Sequence, residues 1–223
     1  MSITIPATGS TPAGSSSSAA GTTLAQAYTP LAAGNQIIVF ASAQETTAIT
    51  VADNATGGSS TYTPLGSITN GTWIVAIFGC LSVKAGCTTI TATYGTTGVQ
   101  REIIVAEATG ALAFGNTHTN TGSSTALTNS VTTQDSNNVV VCAEGINVQG
   151  TMTLVTGTKL DGTQFSTSST LVAGFIAVAS PGSGTVAFSS NVTGAWACAG
   201  VELRSVAPSA KGYSSYLPLF GRG

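Results

Sequence analysis

An all-β fold is predicted for this 223-residue chain: a jelly-roll or Greek-key β-sandwich built from two related halves, with extended arms at both ends. Three observations predict it. Short runs rich in Val, Ile and Thr recur between Gly, Asn, Asp and Pro turn signals, which is the pattern of strands. These runs repeat in the same order at an offset of about a hundred residues, too long a period for a solenoid. No stretch of ten residues carries a helical period.

Taken in order, residues 1–34 open with the strand-like SITIP and pass through GSTPAGSSSSAAGTT, a flexible-linker composition, and are read as an N-terminal arm. From Asn35 the candidate strands are QIIVFAS (36–42), TAITVAD (47–53), TWIVAIFGCLSV (72–83), CTTITATY (87–94) and VQREIIVAEA (99–108). A second set follows: NNVVVCAEGI (137–146), TMTLVTGTKL (151–160), STLVAGFIAVA (169–179), GTVAFSS (184–190) and AWACAGVELRSV (195–206). Turn chemistry separates them at Gly57-Gly58, Asn70-Gly71, Asp161-Gly162 and Pro181-Gly182. GNQIIVFAS matches SNNVVVCAE, TAITVAD matches TMTLVTG, TWIVAIFGCLSVKAGCTTITATY matches STLVAGFIAVASPGSGTVAFSS, and VQREIIVAEATG matches AWACAGVELRSV. The half-repeats are 35–110 and 136–206, joined by a loop from Gly110 to Asp135. Each half alone, at about 70 to 75 residues, has a thin core, so both are assigned to one domain, 35–207. Closing the strands as a sandwich limits exposed edges.

Composition narrows the function. Hydrophobic residues make up 42%, enough for a core, while only 6% are charged against about 25% in ordinary soluble domains. A net charge of -2 leaves a surface of Thr, Ser, Asn and Gln that keeps a chain monomeric poorly, which points to burial in an assembly. Mean hydropathy is +0.34, yet the longest apolar run, WIVAIFGCL from Trp73, is half of the roughly 18 to 20 residues a spanning helix needs. Aromatics at 6% are too few for the girdles of a membrane barrel. The opening MSITIPATGSTPAG lacks a basic stretch followed by an apolar one, so no secretory signal is expected. Lys84, Arg101, Lys159, Arg204, Lys211 and Arg222 are scattered singly, and nucleic acid, which selects clustered cations, is not an expected partner.

Residues able to carry chemistry are few. His118, in GNTHTNTGSS, is the one histidine; a Ser-His-Asp triad or a zinc site would have to use it, and with no carboxylate nearby it reads as a loop histidine. No G-x-S-x-G elbow occurs. Glu102 and Glu107 lie five apart on one strand and so face opposite ways. Glu107 and Glu202 fall at matching places in the two half-repeats and could meet as a carboxylate pair, but acids at strand ends are usually solvated. Asp53, in ADNATGGSS, and Asp161, in LDGTQ, supply one acid per loop. That is too few for calcium and fits Asx turns. Asn54, Asn70 and Asn191 match the glycosylation acceptor pattern as expected by chance in a Thr-rich chain. Trp73, Trp196, Phe40, Phe78, Phe175 and Phe188 sit inside strands and read as core. Cys80 and Cys87 bracket LSVKAG as a tight hairpin would and are the candidate disulfide, while Cys142 and Cys198 read as packed hydrophobes. The expectation is a protein that is not an enzyme, with no catalytic, cofactor or metal residues.

The last segment differs from the rest. Residues 208–223, ending in KGYSSYLPLFGRG, concentrate Tyr213, Tyr216, Leu217, Leu219, Phe220 and Arg222, residue types that dominate interface hot spots. Pro218 rules out a regular helix there. The segment reads as a C-terminal arm whose side chains bind a neighbouring subunit. This overall texture, all-β, rich in Thr, Ser, Gly and Ala, almost uncharged and with an arm at each end, resembles virion proteins of tailed bacteriophages, notably jelly-roll capsid decoration or cement proteins and tail components. The resemblance implies a homo-oligomer, a trimer being common, bound to other virion subunits, made in the host cytoplasm and needing no cofactor. A second reading is a carbohydrate-binding or adhesin-type sandwich module on a cell surface, similar to β-sandwich modules of large secreted bacterial proteins. It would use Tyr62, with His118 beside it, toward a glycan.

Overall fold

A computed structural model describes residues 2–6, 13–17, 19–165 and 169–205. Those residues form no helix and fourteen strands. In chain order these are β1 (Ala13–Ser17), β2 (Thr23–Ala27), β3 (Gln36–Ala43), β4 (Thr50–Asp53), β5 (Thr63–Asn70), β6 (Trp73–Cys80), β7 (Thr89–Thr93) and β8 (Arg101–Ala108). They continue with β9 (Ala113–Thr132), β10 (Asn138–Ile146), β11 (Met152–Thr156), β12 (Thr158–Phe165), β13 (Ser169–Val178) and β14 (Ser183–Arg204). The chain is an all-β sandwich, and every strand pairing is antiparallel.

The apolar runs explain the layering. In β3, β6, β8 and β10 every residue is buried, and a strand without polar alternation must be covered on both faces. One large sheet has the order β1-β8-β3-β6-β5. Its Ile38, Phe40, Val75, Ile77 and Ile104 face Val141, Ala143, Leu171, Ala199 and Val201 of the second large sheet across a shared core. The intervening residues Ile37, Val39, Ile74, Phe78 and Ile103 face the other way, onto Leu24, Ile90 and Ala92 of a three-stranded outer sheet, β2-β7-β4.

The second half repeats this plan with longer strands. β14 pairs with β10 along 196–203 and with β11 along 187–190, while β9 follows it on both sides of a register break between Ser189 and Gly194. The β9/β14 ribbon is therefore bent into two arms. Residues 113–124 and 194–204 complete the second large sheet with β10, β13 and β12, and 126–132 and 183–190 form an outer sheet with β11. Leu127, Val131, Met152, Val186 and Phe188 of that outer sheet cover Val140, Cys142, Ile146, Val172 and Cys198. The strand orders of the two halves correspond one to one, giving four layers in all: outer, large, large, outer. The duplication read from the sequence is thus present in the topology, and it extends to β1 and β2, which correspond to the two arms of β9.

Several local expectations are corrected. Residues 110–135, expected as a loop, contain β9, and 13–17 and 23–27, expected within an arm, are strands paired to β8 and β7. The run 151–160 divides into β11 and β12 around Gly157, whose φ of +103 is open only to glycine without strain. Cys80 and Cys87 do not bracket a hairpin: β6 ends in a large sheet and β7 lies in an outer one.

Close approach of the two large sheets depends on glycine at two positions. A Cβ on Gly79 would overlap the Phe114 ring, and one on Gly145 would stand 2.8 Å from both Trp73 Nε1 and Val75 Cγ2. Gly145→Ala is expected to destabilise the fold by about 1 to 3 kcal/mol, the range for overpacking a filled core. A lowered urea midpoint at unchanged slope would register it, and no shift would mean that the sheets can separate there without loss.

Candidate functional site

The most organised polar chemistry sits at one end of the stack, where β8 and β14 both finish. Glu107 and Glu202 are 2% and 0% exposed, not solvated as strand-end acids usually are. Glu107 accepts hydrogen bonds from the Leu31 backbone N–H (3.1 and 3.0 Å), the Asn35 side-chain amide (2.5 Å) and the Tyr28 hydroxyl (3.4 Å). Glu202 accepts from the backbone N–H groups of Gln134 (2.6 Å) and Asn116 (3.1 Å) and from the Asn138 amide (2.5 Å). Each carboxyl group thus clamps the loop that carries the chain from outer sheet to large sheet, with an Asn at the equivalent place in each half. The two point to the outer core of their own half, alongside Val105 and Cys198 respectively, and so face away from each other. The pairing the repeat suggested does not form.

Six positions before each of these acids stands the residue that holds the opposite bend. Arg101, 1% exposed, donates to the carbonyls of Gly21 and Ala19 between β1 and β2 and lies over the Tyr94 ring at 5.8 Å. Trp196 donates from Nε1 to Ser124 Oγ at 3.1 Å, at the bend of β9. Along the β9 edge, side chains tie the two arms together. Asn116 and Asn120 donate to the carbonyls of Thr132 and Thr128 at 2.8 and 3.1 Å, and Asn129 donates to the His118 carbonyl at 3.1 Å. His118 is a strand residue, not a loop one, and its Nδ1 lies 2.6 Å from Asn129 Oδ1. This row of amides covers an edge that would otherwise offer bare backbone to another chain.

Asp53 forms the Asx turn expected of it. Its Oδ1 accepts from the N–H groups of Ala55 (3.1 Å) and Ser60 (3.0 Å), and its Oδ2 accepts from the Tyr62 hydroxyl (3.1 Å). Burial alone would raise its pKa, but these bonds outweigh it and hold the carboxyl below its ordinary value. Tyr62 packs on the core of the first half rather than standing clear as a platform. A pocket of about 320 Å³ opens nearby, lined by Thr61, Thr63, Cys80, Leu81, Ser82 and Lys84. The remaining acids are also placed singly: Glu45 accepts from Gly95 N–H, Glu102 from Ser42 Oγ, and Asp135 pairs with Arg204 at 2.5 Å. Asp161 lies on β12, paired with Ala173. Asn70 donates to the carbonyls of Gly122 and Trp196, both at 2.9 Å, joining the two halves.

All four cysteines are buried free thiols, so the Cys80–Cys87 bridge is not formed. Cys87 Sγ instead lies 3.9 Å from the Tyr28 carbonyl, and burial, with the nearby Asp53 charge, pushes its pKa up to about 11. Low thiolate content and lack of access both slow reaction with disulfide reagents. Native protein is expected to leave all four thiols unlabelled by an aromatic disulfide reagent at pH 8 over an hour, and denatured protein to label all four. Rapid native labelling of Cys80 or Cys87 would mean that the first outer sheet opens readily.

The segment carrying Tyr213, Tyr216, Leu217, Leu219, Phe220 and Arg222 lies outside the described residues. No family model matches this chain, and neither does any curated protein or solved structure.

Proposed function

We propose that the chain is a non-enzymatic structural subunit of a large assembly, a phage virion protein of the capsid decoration or tail-associated type that binds neighbouring subunits through its C-terminal segment. One observation carries this reading. The chain concentrates its exceptional aromatic and apolar residues, Tyr213 to Phe220, within twenty residues of the end of the last described strand at Arg204, on a protein with only 6% charged residues. The architecture accords with it: in the four-layer stack the buried Glu107, Glu202, Arg101 and Asn138 fix loops and bends of the chain itself, which suits a rigid building block. The test compares the full chain with a truncation ending at Ala207 by light scattering after size exclusion. Both are expected to give the same β-type circular dichroism, with association lost from the truncated form. If the truncated chain assembles as well as the intact one, the reading is wrong.

A further inference from the structure

The large hydrophobic side chains most exposed among the described residues are Leu31, Leu81, Leu112 and Val155, at 52%, 41%, 52% and 64%. Three of the four belong to one end of the stack. Leu31 N–H is held by Glu107, Leu81 O accepts from the Gln36 amide at 3.2 Å, and Gln36 Oε1 accepts from Ala111 N–H at 3.1 Å beside Leu112. Leu112 N–H in turn donates to Arg204 O at 2.8 Å, so the last described strand finishes among these leucines. The same end holds a pocket of about 150 Å³ between the N-terminal residues Ser2 and Ile3 and the edge of the second large sheet where β10 starts and β13 ends, with Ile3, Val139, Ala177 and Val178 as its apolar lining and Asn137 and Asn138 beside them. A cavity of that size accepts a benzene ring. Exposed apolar groups gathered at one place mark an interaction surface.

We infer that this end is the docking surface for the Lys211–Gly223 segment of a second copy of the chain, with Leu31, Leu81 and Leu112 as its apolar floor and the pocket as a seat for an aromatic ring. The inference rests on the reading of that segment as a subunit-binding arm, and it adds what the arm binds. Tyr213 lies eight residues beyond Ser205, a reach of up to about 27 Å for extended chain, enough to cross to a facing molecule. Donor and acceptor share one end, so two copies meeting end to end exchange segments reciprocally, and the contact closes as a two-fold dimer instead of growing into a fibre. Tyr213, Tyr216 and Phe220 from both copies bring six aromatic side chains, about 900 to 1,500 Å² at the usual burial per ring. That approaches the area of a stable interface before the leucines are added. A segment folded back on its own chain brings half of it.

The experiment uses two full-length variants. A surface variant carries Leu31→Ser, Leu81→Ser and Leu112→Ser; an arm variant carries Tyr213→Ser, Tyr216→Ser and Phe220→Ser. Sedimentation velocity across a concentration series is expected to show a wild-type dimer, with the dissociation constant raised at least about 30-fold in each variant, the equivalent of one hot spot. An equimolar mixture of the two variants is expected to form a heterodimer of affinity between wild type and either variant alone, since one of the two contacts, the arm of the surface variant on the intact surface of the arm variant, remains. If the arm variant dissociates while the surface variant still associates like wild type, the docking surface is wrong and the arm reading stands. If the arm variant associates like wild type, the arm reading fails and the inference with it. A monomeric wild type, or two variants that are monomeric alone and gain no association on mixing, would overturn the exchange.

Discussion

Glu202→Ala is expected to lower the stability of the folded chain by at least about 3 kcal/mol, the largest loss predicted for any single side chain in the second half. Its carboxyl group takes two backbone N–H groups and the Asn138 amide at 0% exposure, and each buried donor left without a partner costs about 1 to 3 kcal/mol. Water entering the vacated space recovers part of that sum. Glu202→Gln is the informative companion. An amide oxygen in place of Oε1 still accepts from Gln134 and Asn138, while the new NH₂ faces the Asn116 N–H and loses that bond, so a loss of about 1 to 2 kcal/mol is expected. Because Glu107 holds Leu31 and Asn35 in the same way, Glu107→Ala should match Glu202→Ala. Urea unfolding followed by tryptophan fluorescence measures all three. A chain of this size should also melt roughly 6 to 12 °C lower for a loss of about 3 kcal/mol. A Glu202→Ala midpoint within error of wild type would show that the loop 133–138 holds its position without the clamp.

The clamps also mark what could be read from the sequence and what could not. Strands such as QIIVFASA and REIIVAEA are legible because Val and Ile in unbroken runs have few alternatives, and the order of those runs disclosed the duplication. Their lack of alternation also implied cover on both faces, hence more than two layers, a signal that a single sandwich does not use. β9 escaped because it lies at an edge and its first arm is built of Thr, Asn, Gly and Ser. Only its second arm alternates, with Leu127, Asn129 and Val131 turned inward, and that short period of two was the available clue. β1 is Ala-Gly-Ser-Ser-Ser and owes its strand state to pairing with β8, not to propensity. The acids are hard to read from sequence for a similar reason. Whether an acid at the end of an apolar strand meets water or a loop's N–H groups depends on how the loop returns, and Asn35 and Asn138, the partners that settle it, are remote in sequence from Glu107 and Glu202.

Glu144 is the exception among the buried acids, and its removal should change how stability depends on pH. It is 0% exposed on β10 and faces the outer core of the second half, paired across the strand with Cys198. Neither carboxyl oxygen has a hydrogen-bond partner of good geometry. Burial pushes its pKa well above the ordinary value, with the nearby Phe188 backbone and Cys198 thiol opposing this only in part. The folded chain therefore keeps a proton that the unfolded chain releases above about pH 4.5. The native state then binds the extra proton, so stability on this group's account is fully present below about pH 4.5 and falls as pH rises toward the folded pKa, by about 1.4 kcal/mol per pH unit. Asp53 has the opposite sign. Its lowered pKa adds stability above its unfolded value that is lost only as pH falls, so it is constant between pH 5 and 8. The buried thiols Cys142 and Cys198, raised by burial, add their own decline only once unfolded thiols ionise, above about pH 8. Within that window the difference between wild type and Glu144→Gln isolates one carboxyl group. Glu144→Gln should be the more stable form at pH 8 by at least about 2 kcal/mol, with the gap closing as pH approaches 4.5. Glu144→Met, which fills the same space without a polar group to desolvate, should be more stable still. Parallel curves for wild type and Glu144→Gln from pH 5 to 8 would mean that the folded carboxyl group ionises as readily as the unfolded one, and that water reaches it inside the second half.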